Sequence, residues 1–461
     1  MALELTFDAG TIVVEGEPAH LEALLPLAGL VRDERRGVLR GPASDYRLVF
    51  AHLYRAQQRG TLTFEDRARA YNALDLDLGA QREPYPHQRE SVEAWVKAGM
   101  RGVVVLPTGA GKSYVAEMAI LKAGRSAMVI APTIDLMNQW YDLLCASFGV
   151  EVGLLGGGYH EIRDLTVSTY DSAFIHMERL GARFGLLIFD ECHHLPGPSY
   201  TMSAEMSMAP YRLGLTATPE RSDGGEVLLE RLIGPMVYER GIKDMTGTYL
   251  AEYDVVTLKI PLSDEDAALY LDARREYRDF VSLHRIRMSS PTGWADFLKH
   301  SSRSVDGRRA FRAYRAQRQI ALAHKGKIDR LEKLLCVHGR DRVIIFTNDN
   351  ETVYDISRRF LIPAITHQTP TKERKTCLER FNAGHYPCLV TSKVLNEGVN
   401  IPEANVAIIL AGSGTVREHV QRLGRILRRG EGKRALLYEL ITLDTVEEYV
   451  STRRREHDAY R

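Results

Sequence analysis

Between Arg101 and Tyr238, apolar runs of four to eight residues alternate with helical segments: GVVVL, SAMVIAP, LTVST, FGLLIFD and YRLGLTAT. Runs this short and this continuously apolar predict strands buried on both faces of a parallel sheet, because a strand with one wet face would alternate. A second series begins near Asp341 with RVIIFTN, AITH, CLVTS, VAIILAG and ALLYELI. Between the two series the chain is polar and Arg-rich, and SDEDAALYLDARREYRDF there reads as a helix. Upstream, TIVVEG predicts a short strand and HLEALLPLAGLVRD an apolar-periodic helix or turn. FEDRARAYNALDLDLGAQREPYPHQ then turns polar and is punctuated by proline, as a linker is. The pattern predicts an α/β chain with four parts. These are a small α+β module over residues 1–80, a parallel-sheet domain over 81–240, a linker with a basic helical insert over 241–325, and a second parallel-sheet domain over 326–461.

Composition narrows this little. A chain of 461 residues exceeds what one core holds, and 44% hydrophobic with 26% charged residues is ordinary for a soluble globular protein. No apolar run approaches the roughly 18 residues that cross a bilayer. MALELTFDAG lacks a basic region followed by an apolar one, so no secretory signal is expected. Five scattered cysteines (Cys145, Cys192, Cys336, Cys377, Cys388) form no CxxC pair, which predicts reduced thiols in a cytosolic protein. A net charge of +1 neither favours nor excludes a polyanion. Local charge does more: Ser282 to Lys327 carries eight Arg and three Lys against two Asp, with Trp294, Phe297, Phe311 and Tyr314 interleaved.

The chemistry lies at two strand ends. LPTGAGKS follows GVVV, the strand–loop–helix setting of a phosphate loop. In the loop Pro107, Thr108, Gly109, Ala110, Gly111, the glycines allow the backbone close to phosphates, so that its N–H groups and a helix N-terminus face negative charge. Lys112 would reach the β and γ phosphates of ATP, and the Ser113 hydroxyl would ligate Mg²⁺. Leu106 stands where the strict pattern begins with glycine, but both residues that touch phosphate and metal are kept. GLLIFDECHH supplies the complement: a strand delivers Asp190 and Glu191 to the sheet edge where open α/β proteins bind ligands. Asp190 is the candidate to hold Mg²⁺ through water, and Glu191 to orient or deprotonate the attacking water. Cys192, His193 and His194 are contiguous, which fits neither HExxH nor CxxC zinc spacing. A phosphate loop with two carboxylates makes a nucleoside triphosphatase.

With PTGAGKS, DECH, GLTATP and QRLGRILR in that order, the chain resembles the superfamily 2 helicases from Pro84 to about Ile441. The resemblance implies two RecA-like domains with ATP held between them. It implies that Gln88 of YPHQRE reads adenine and that APTIDLMNQW and VSTYDSA hold a nucleic-acid backbone, with hydroxyl contacts from Thr133, Ser168 and Thr169. Thr216-Ala217-Thr218 resembles the motif that couples hydrolysis to strand movement. In VTSKVLNEGVNIP, Thr391 is expected to face DNA and Glu397 and Gly398 to lie near nucleotide. Gln421, Arg422, Arg425 and Arg428 of QRLGRILR match motif VI, with Arg425 and Arg428 as arginine fingers. Without the resemblance this last stretch reads as a solvated basic helix.

Within the superfamily, RLGLTATPERSDGG, IIFTNDNETVYDIS, LIPAITHQT and AGSGTVREHVQRLGRILR look like the XPB helicases in their short archaeal or bacterial form. The N-terminal module resembles that family's damage-recognition domain in position. Where XPB helicases carry an Arg-Glu-Asp trio, this chain has Arg221-Ser222-Asp223, which puts a duplex-opening role of that loop in question without touching ATP hydrolysis. The basic insert falls where the family carries a thumb-like element. There Arg308, Arg312 and Arg315 share one side of a helix by three- and four-residue spacing and could neutralise phosphates; a solvated helix whose Phe311 and Tyr314 pack inward is the plainer alternative. The implied function is a 3′–5′ ATP-dependent DNA translocase and helicase of repair or transcription. The alternatives are an ATP-gated DNA-binding clamp with little unwinding, and an RNA helicase. A nuclease partner, a monomeric state and a cytoplasmic, nucleoid-associated location accompany the family reading.

Overall fold

The computed structural model describes residues 2–27, 29–79, 82–219, 224–249, 251–290, 292–392, 404–411 and 434–448. Those up to Asp244 form one compact unit and those from Met245 onward a second.

The first unit begins with a five-stranded sheet: β1 (Leu3–Asp8), β2 (Thr11–Glu15), β3 (Val31–Asp33), β4 (Val38–Pro42) and β5 (Phe64–Asp66), ordered β3-β4-β2-β1-β5. It is antiparallel except that β5 runs parallel to β1. Leu3 and Leu5 alternate with Glu4 and Thr6, so one face of β1 is buried. Leu21 and Leu24 of α1 (Pro18–Leu24) and Tyr46, Val49 and Leu53 of α2 (Tyr46–Gln58) close the core. That core does not stop at the module, because Ala182 and Met208 of the following domain belong to it. Arg47 of α2 donates to the carbonyls of Gly99 (2.8 Å) and Pro210 (3.2 Å). The connecting segment is pinned as well. Ala70 N–H donates to the Ala182 carbonyl, Asn72 N–H to Ser126 Oγ and Leu74 N–H to the Gly124 carbonyl. The Arg125 guanidinium lies over both the Tyr71 and Tyr211 rings, 5.3 and 4.4 Å from their centres.

The α/β domain of this unit is an eight-stranded sheet: β6 (Arg101–Val105), β7 (Ala127–Ala131), β8 (Val152–Gly156), β9 (Tyr159–His160), β10 (Leu165–Thr169), β11 (Leu186–Asp190), β12 (Tyr211–Thr216) and β13 (Met236–Glu239). The order is β13-β6-β12-β11-β7-β10-β8-β9, with every pairing parallel except β8 with β9. All five residues of β7, of β10 and of β11 are buried, as their unbroken apolar runs require. Four helices matter to the site: α3 (Pro86–Lys97), α4 (Lys112–Ala123), α5 (Ile134–Phe148) and α6 (Tyr170–Leu180). Because β6, β7, β10, β11 and β12 are parallel, the loops at their C-terminal ends all open on one edge.

Arg212 of β12 is wholly buried, and its hydrogen bonds run to main-chain carbonyls. Its guanidinium donates to the carbonyls of Ala204 (2.9 Å), Ser207 (2.8 Å), Ala209 (3.3 Å) and Leu232. Burial pushes the group well below the usual guanidinium range. Carbonyl dipoles thus replace water around a charge that would otherwise be costly to bury.

The second unit is built on a six-stranded, wholly parallel sheet: β14 (Glu252–Ile260), β15 (Val343–Phe346), β16 (Ala364–Ile365), β17 (Cys388–Thr391), β18 (Val406–Ile409) and β19 (Arg434–Thr442), ordered β14-β19-β18-β15-β17-β16. The basic insert is three helices, Asp264–Leu283, Gly293–Ser301 and Val305–Ala323. They share a small core of Phe280, Ile286, Phe297 and Ala310, against which Tyr277, Phe311 and Tyr314 pack. Lys327, fully buried, joins the insert's exit to the sheet: its Nζ lies 2.6 Å from Glu447 Oε2 and donates to the Leu410 carbonyl at 2.7 Å.

Candidate active site

The phosphate loop leaves β6 under tension that only glycine relieves. Gly109 and Gly111 have φ of 91° and 81°, and a Cβ on Gly111 would stand 2.3 Å from Gln88 Nε2. Gln88 explains that closeness. Its amide donates to the carbonyls of Ala110 (3.2 Å) and Gly111 (3.4 Å), while its carbonyl accepts the Tyr85 N–H at 2.9 Å. His87 Nε2 stands 2.9 Å from the same Ala110 carbonyl. In this structure Gln88 therefore braces the loop from behind. Lys112 opens α4 and donates its Nζ to the Leu106 carbonyl at 3.1 Å. Ser113 follows it in the first turn of α4. Pro107 accepts the Ala110 N–H at 3.2 Å, and the buried Thr108 Oγ1 takes no hydrogen bond.

Asp190 ends β11 at the same edge. Its Oδ2 accepts the Trp140 indole N–H at 2.8 Å, its Oδ1 the Glu191 N–H at 3.1 Å, and its main-chain carbonyl the Tyr170 hydroxyl at 3.0 Å. Burial, reinforced by the Glu191 charge, pushes the Asp190 carboxyl up to about 6; the Trp140 hydrogen bond and the Lys112 charge oppose that rise. Lys112 thus acts electrostatically on Asp190. Glu191 adopts the left-handed conformation (φ 46°, ψ 54°), which strains a residue with a side chain. Its Oε2 is buried, takes no hydrogen bond, and lies 3.5 Å from His193 Nδ1.

These observations fit a magnesium-bound nucleoside triphosphate. The glycine loop after β6 and the carboxylates ending β11 leave the same edge of the sheet, and polar oxygens on Thr108 and Glu191 are buried without hydrogen bonds. Lys112, Ser113 and Asp190 would hold the phosphates and metal, and Glu191 the attacking water.

The site connects sideways to β12. His193 Nδ1 lies 3.0 Å from Thr216 Oγ1. That hydroxyl gives its one proton to the Thr218 carbonyl and accepts the Thr218 N–H, both at 3.1 Å. Leu106 N–H donates to the Thr216 carbonyl at 3.0 Å, so the start of the phosphate loop and the TAT stretch are directly bonded.

The expected nucleic-acid contacts divide. Thr133 caps α5, accepting the Leu136 N–H at 3.2 Å, and Thr169 caps α6, accepting the Ser172 N–H at 3.2 Å. Both stand at the edge that carries Asp190. Ser168 does not present its hydroxyl as expected: it is fully buried, with its Oγ 3.0 Å from both the Leu155 and the Thr169 carbonyl oxygens, to one of which its single proton goes. The alternation of a strand turns it to the opposite side from Thr169. Thr391 likewise is fully buried, its hydroxyl donating to the Ser392 carbonyl at 3.4 Å, and does not face outward. Arg308, Arg312 and Arg315 are all exposed on their helix, with Arg315 3.6 Å from Glu351. Arg308 and Arg312 rim a groove of about 560 Å³ with Leu298, Val305 and Phe311 at its apolar side. Of the interleaved aromatics, Phe297 is wholly buried, so base stacking on it is excluded. Glu397, Gly398, Gln421, Arg422, Arg425, Arg428 and Arg221-Ser222-Asp223 lie outside the described residues.

Sequence reasoning missed Trp140, Tyr170 and His87. A tryptophan two turns into an amphipathic helix reads as core, and it is core. Only its indole N–H distinguishes it, and no spacing signals where that N–H points.

Comparison with known proteins agrees with this arrangement. The family description "Xeroderma pigmentosum group B helicase damage recognition domain" matches residues 5–68, "Type III restriction enzyme, res subunit" residues 81–221, and "Helicase conserved C-terminal domain" residues 326–430. The DNA 3′-5′ translocase XPB2 of Sulfurisphaera tokodaii is 40% identical over 370 residues, covering 80% of this chain and 84% of that one. The DNA 3′-5′ helicase XPB of Mycobacterium tuberculosis is 31% identical over 373 residues, of whose length the match spans 61%. Among solved structures, the helicase domain of Pyrococcus furiosus Hef superposes with a TM-score of 0.52 at 19% identity, covering 80% of this chain and 98% of that one. That likeness establishes the fold, two RecA-like domains. With the phosphate loop, the DECH carboxylates and the match to the archaeal translocase over most of both chains, the chain belongs to the XPB family of superfamily 2 helicases.

Proposed function

We propose that the chain is an ATP-dependent DNA translocase that moves 3′ to 5′ and opens duplexes in repair or transcription. One observation carries the reading: the glycine loop that follows β6 and the two carboxylates that end β11 leave the same edge of one parallel sheet, so phosphate-binding and metal-binding groups share one site. The names of the matched XPB relatives supply polarity and substrate.

The loop from Pro107 to Gly111 wraps the phosphates, with Gln88 and His87 holding its carbonyls from behind. Lys112 neutralises the β and γ phosphates. Ser113 and Asp190 are the ligands for Mg²⁺, which when bound offsets the charge that develops on the phosphate oxygens. Glu191 orients the attacking water and draws its proton. The resemblance to superfamily 2 helicases gives Gln421, Arg425 and Arg428 a role toward the γ-phosphate, and Glu397 and Gly398 a role toward the nucleotide. Thr133 and Thr169, at helix N-termini, take the strand's phosphates, and Arg308, Arg312 and Arg315 add sequence-independent grip. Among the described residues no helix is long and apolar enough to cross a membrane. A monomer working in the cytoplasm at the nucleoid, with a nuclease as partner, completes the reading.

Ser222, in place of the glutamate of the family's Arg-Glu-Asp trio, favours one rival: an ATP-gated clamp that grips DNA and opens it little. Two assays decide. ATP hydrolysis is titrated with single-stranded, duplex and forked DNA and with RNA of matched sequence; stronger activation by RNA overturns the DNA reading. Strand displacement from a forked duplex then separates translocating helicase from clamp: many turnovers without strand release support the clamp.

A further inference from the structure

Trp140 and Tyr170 hold one residue from two sides. The Trp140 indole donates to the Asp190 carboxylate and the Tyr170 hydroxyl to the Asp190 main-chain carbonyl, at 2.8 and 3.0 Å. Both side chains are buried, at 5% and 1% exposure. Neither belongs to the phosphate loop or to DECH. Trp140 sits two turns into α5, whose cap is Thr133; Tyr170 is the first residue of α6, whose cap is Thr169. Strand β7, which leads to Thr133, lies between β11 and β10, which end at Asp190 and Thr169. The two helices whose caps face the proposed strand are thus the two that fix the carboxylate.

The chemistry of the donors matters. An indole N–H is a donor only and cannot rotate away from its ring, so its direction is set by the packing of the ring. A hydrogen bond from it to a carboxylate in a dry interior is strong and directional. With Oδ2 held by Trp140 and Oδ1 by the Glu191 N–H, each oxygen keeps a lone pair free in a fixed direction. A small rotation of α5 moves Oδ2, and a small shift of α6 moves the Asp190 carbonyl.

We propose that Trp140 and Tyr170 are positioning residues that tie the aim of the Asp190 carboxylate to the seating of α5 and α6, so that a DNA strand engaged at Thr133 and Thr169 sharpens metal binding at the nucleotide site. The proposal rests on the reading of the chain as a DNA-stimulated ATPase.

The test uses the full chain with Trp140→Phe, which keeps a ring and deletes the donor, and Tyr170→Phe, which deletes only a hydroxyl. Equilibrium binding of a fluorescent, non-hydrolysable ATP analogue is measured in EDTA and across a Mg²⁺ titration, with and without a single-stranded oligonucleotide. In the unaltered chain the oligonucleotide lowers the Mg²⁺ needed for half-maximal binding. In Trp140→Phe that Mg²⁺ concentration rises about tenfold or more, on the scale of one lost charge-assisted hydrogen bond, while affinity in EDTA is unchanged. In Tyr170→Phe the oligonucleotide's effect shrinks. Should both variants respond to Mg²⁺ and to oligonucleotide as the unaltered chain does, the rings only fill space and the proposal is overturned. If Trp140→Phe does not fold, Tyr170→Phe decides by the same criterion. A parallel ATPase assay keeps the two ideas apart: an unaltered chain whose hydrolysis ignores DNA overturns the functional reading, and this proposal with it.

Discussion

His193 Nδ1 and Thr216 Oγ1 share a hydrogen bond of 3.0 Å, which adds a side-chain link between the DECH turn and the TAT stretch to the β11–β12 ladder. Thr216 Oγ1 also accepts the Thr218 N–H. Thr216→Val keeps the shape and removes the shared oxygen, leaving His193 and the Thr218 N–H without it. Stability is expected to drop by about 1–2 kcal/mol, read as a shift in the urea midpoint. Strand displacement is expected to fall further than ATP hydrolysis; equal losses in the two assays would show that the bond does not transmit.

Lys112→Ala removes the ammonium that faces the phosphates. Hydrolysis should fall by about 100-fold or more, while circular dichroism and DNA anisotropy stay near those of the unaltered chain. Normal turnover in this variant would remove the phosphate-loop assignment.

Arg425→Ala together with Arg428→Ala tests the arginine fingers. Loss of such groups costs about 10³-fold or more in turnover, with ATP binding retained. Stopped-flow nucleotide binding beside steady-state hydrolysis separates the two effects. Unchanged hydrolysis would mean that motif VI does not complete the site.

Arg308, Arg312 and Arg315 are exposed on one helix side, and the pair between Arg315 and Glu351 is too solvated to hold that arginine back. Each phosphate that they neutralise adds about 0.9 to the slope of log affinity against log salt on duplex DNA. Replacing all three by alanine should flatten the slope by about two to three. An unchanged slope assigns the helix to solvent.

His324 gives the second unit a pH dependence. Burial, with Lys327 nearby, lowers its imidazole to about 4 from 6.5, and its Nε2 takes no hydrogen bond. The folded state therefore holds it neutral and the unfolded chain takes the proton more readily. Its contribution is fully present above pH 6.5 and is lost as the pH falls towards 4. His324→Asn, a residue well suited to the N-cap position that His324 occupies, should make the urea midpoint less dependent on pH over that range.

The parallel strands were legible because full burial leaves continuous apolar runs: LTVST and FGLLIFD appear as β10 and β11. β1 and β14 were not read, since LELTFD and EYDVVTLKI mix apolar with charged residues as half-exposed or edge strands do. The glycine loop between β6 and α4 and the carboxylate ending β11 lie where the sequence put them, because positive-φ glycines and an apolar run closing on acidic residues both mark a strand's end. Ser168 and Thr391 misled for one reason: a motif states which residue is present, and the pleat decides which way it points. Trp140 and Tyr170 were invisible because one hydrogen bond from a core ring leaves no trace in hydropathy.

The N-terminal sheet shares Ala182 and Met208 with the ATP-binding domain and is pinned along its connector. Such a graft has no slack. The sheet and the domain that carries the glycine loop therefore form one body, and a force on either is borne by both.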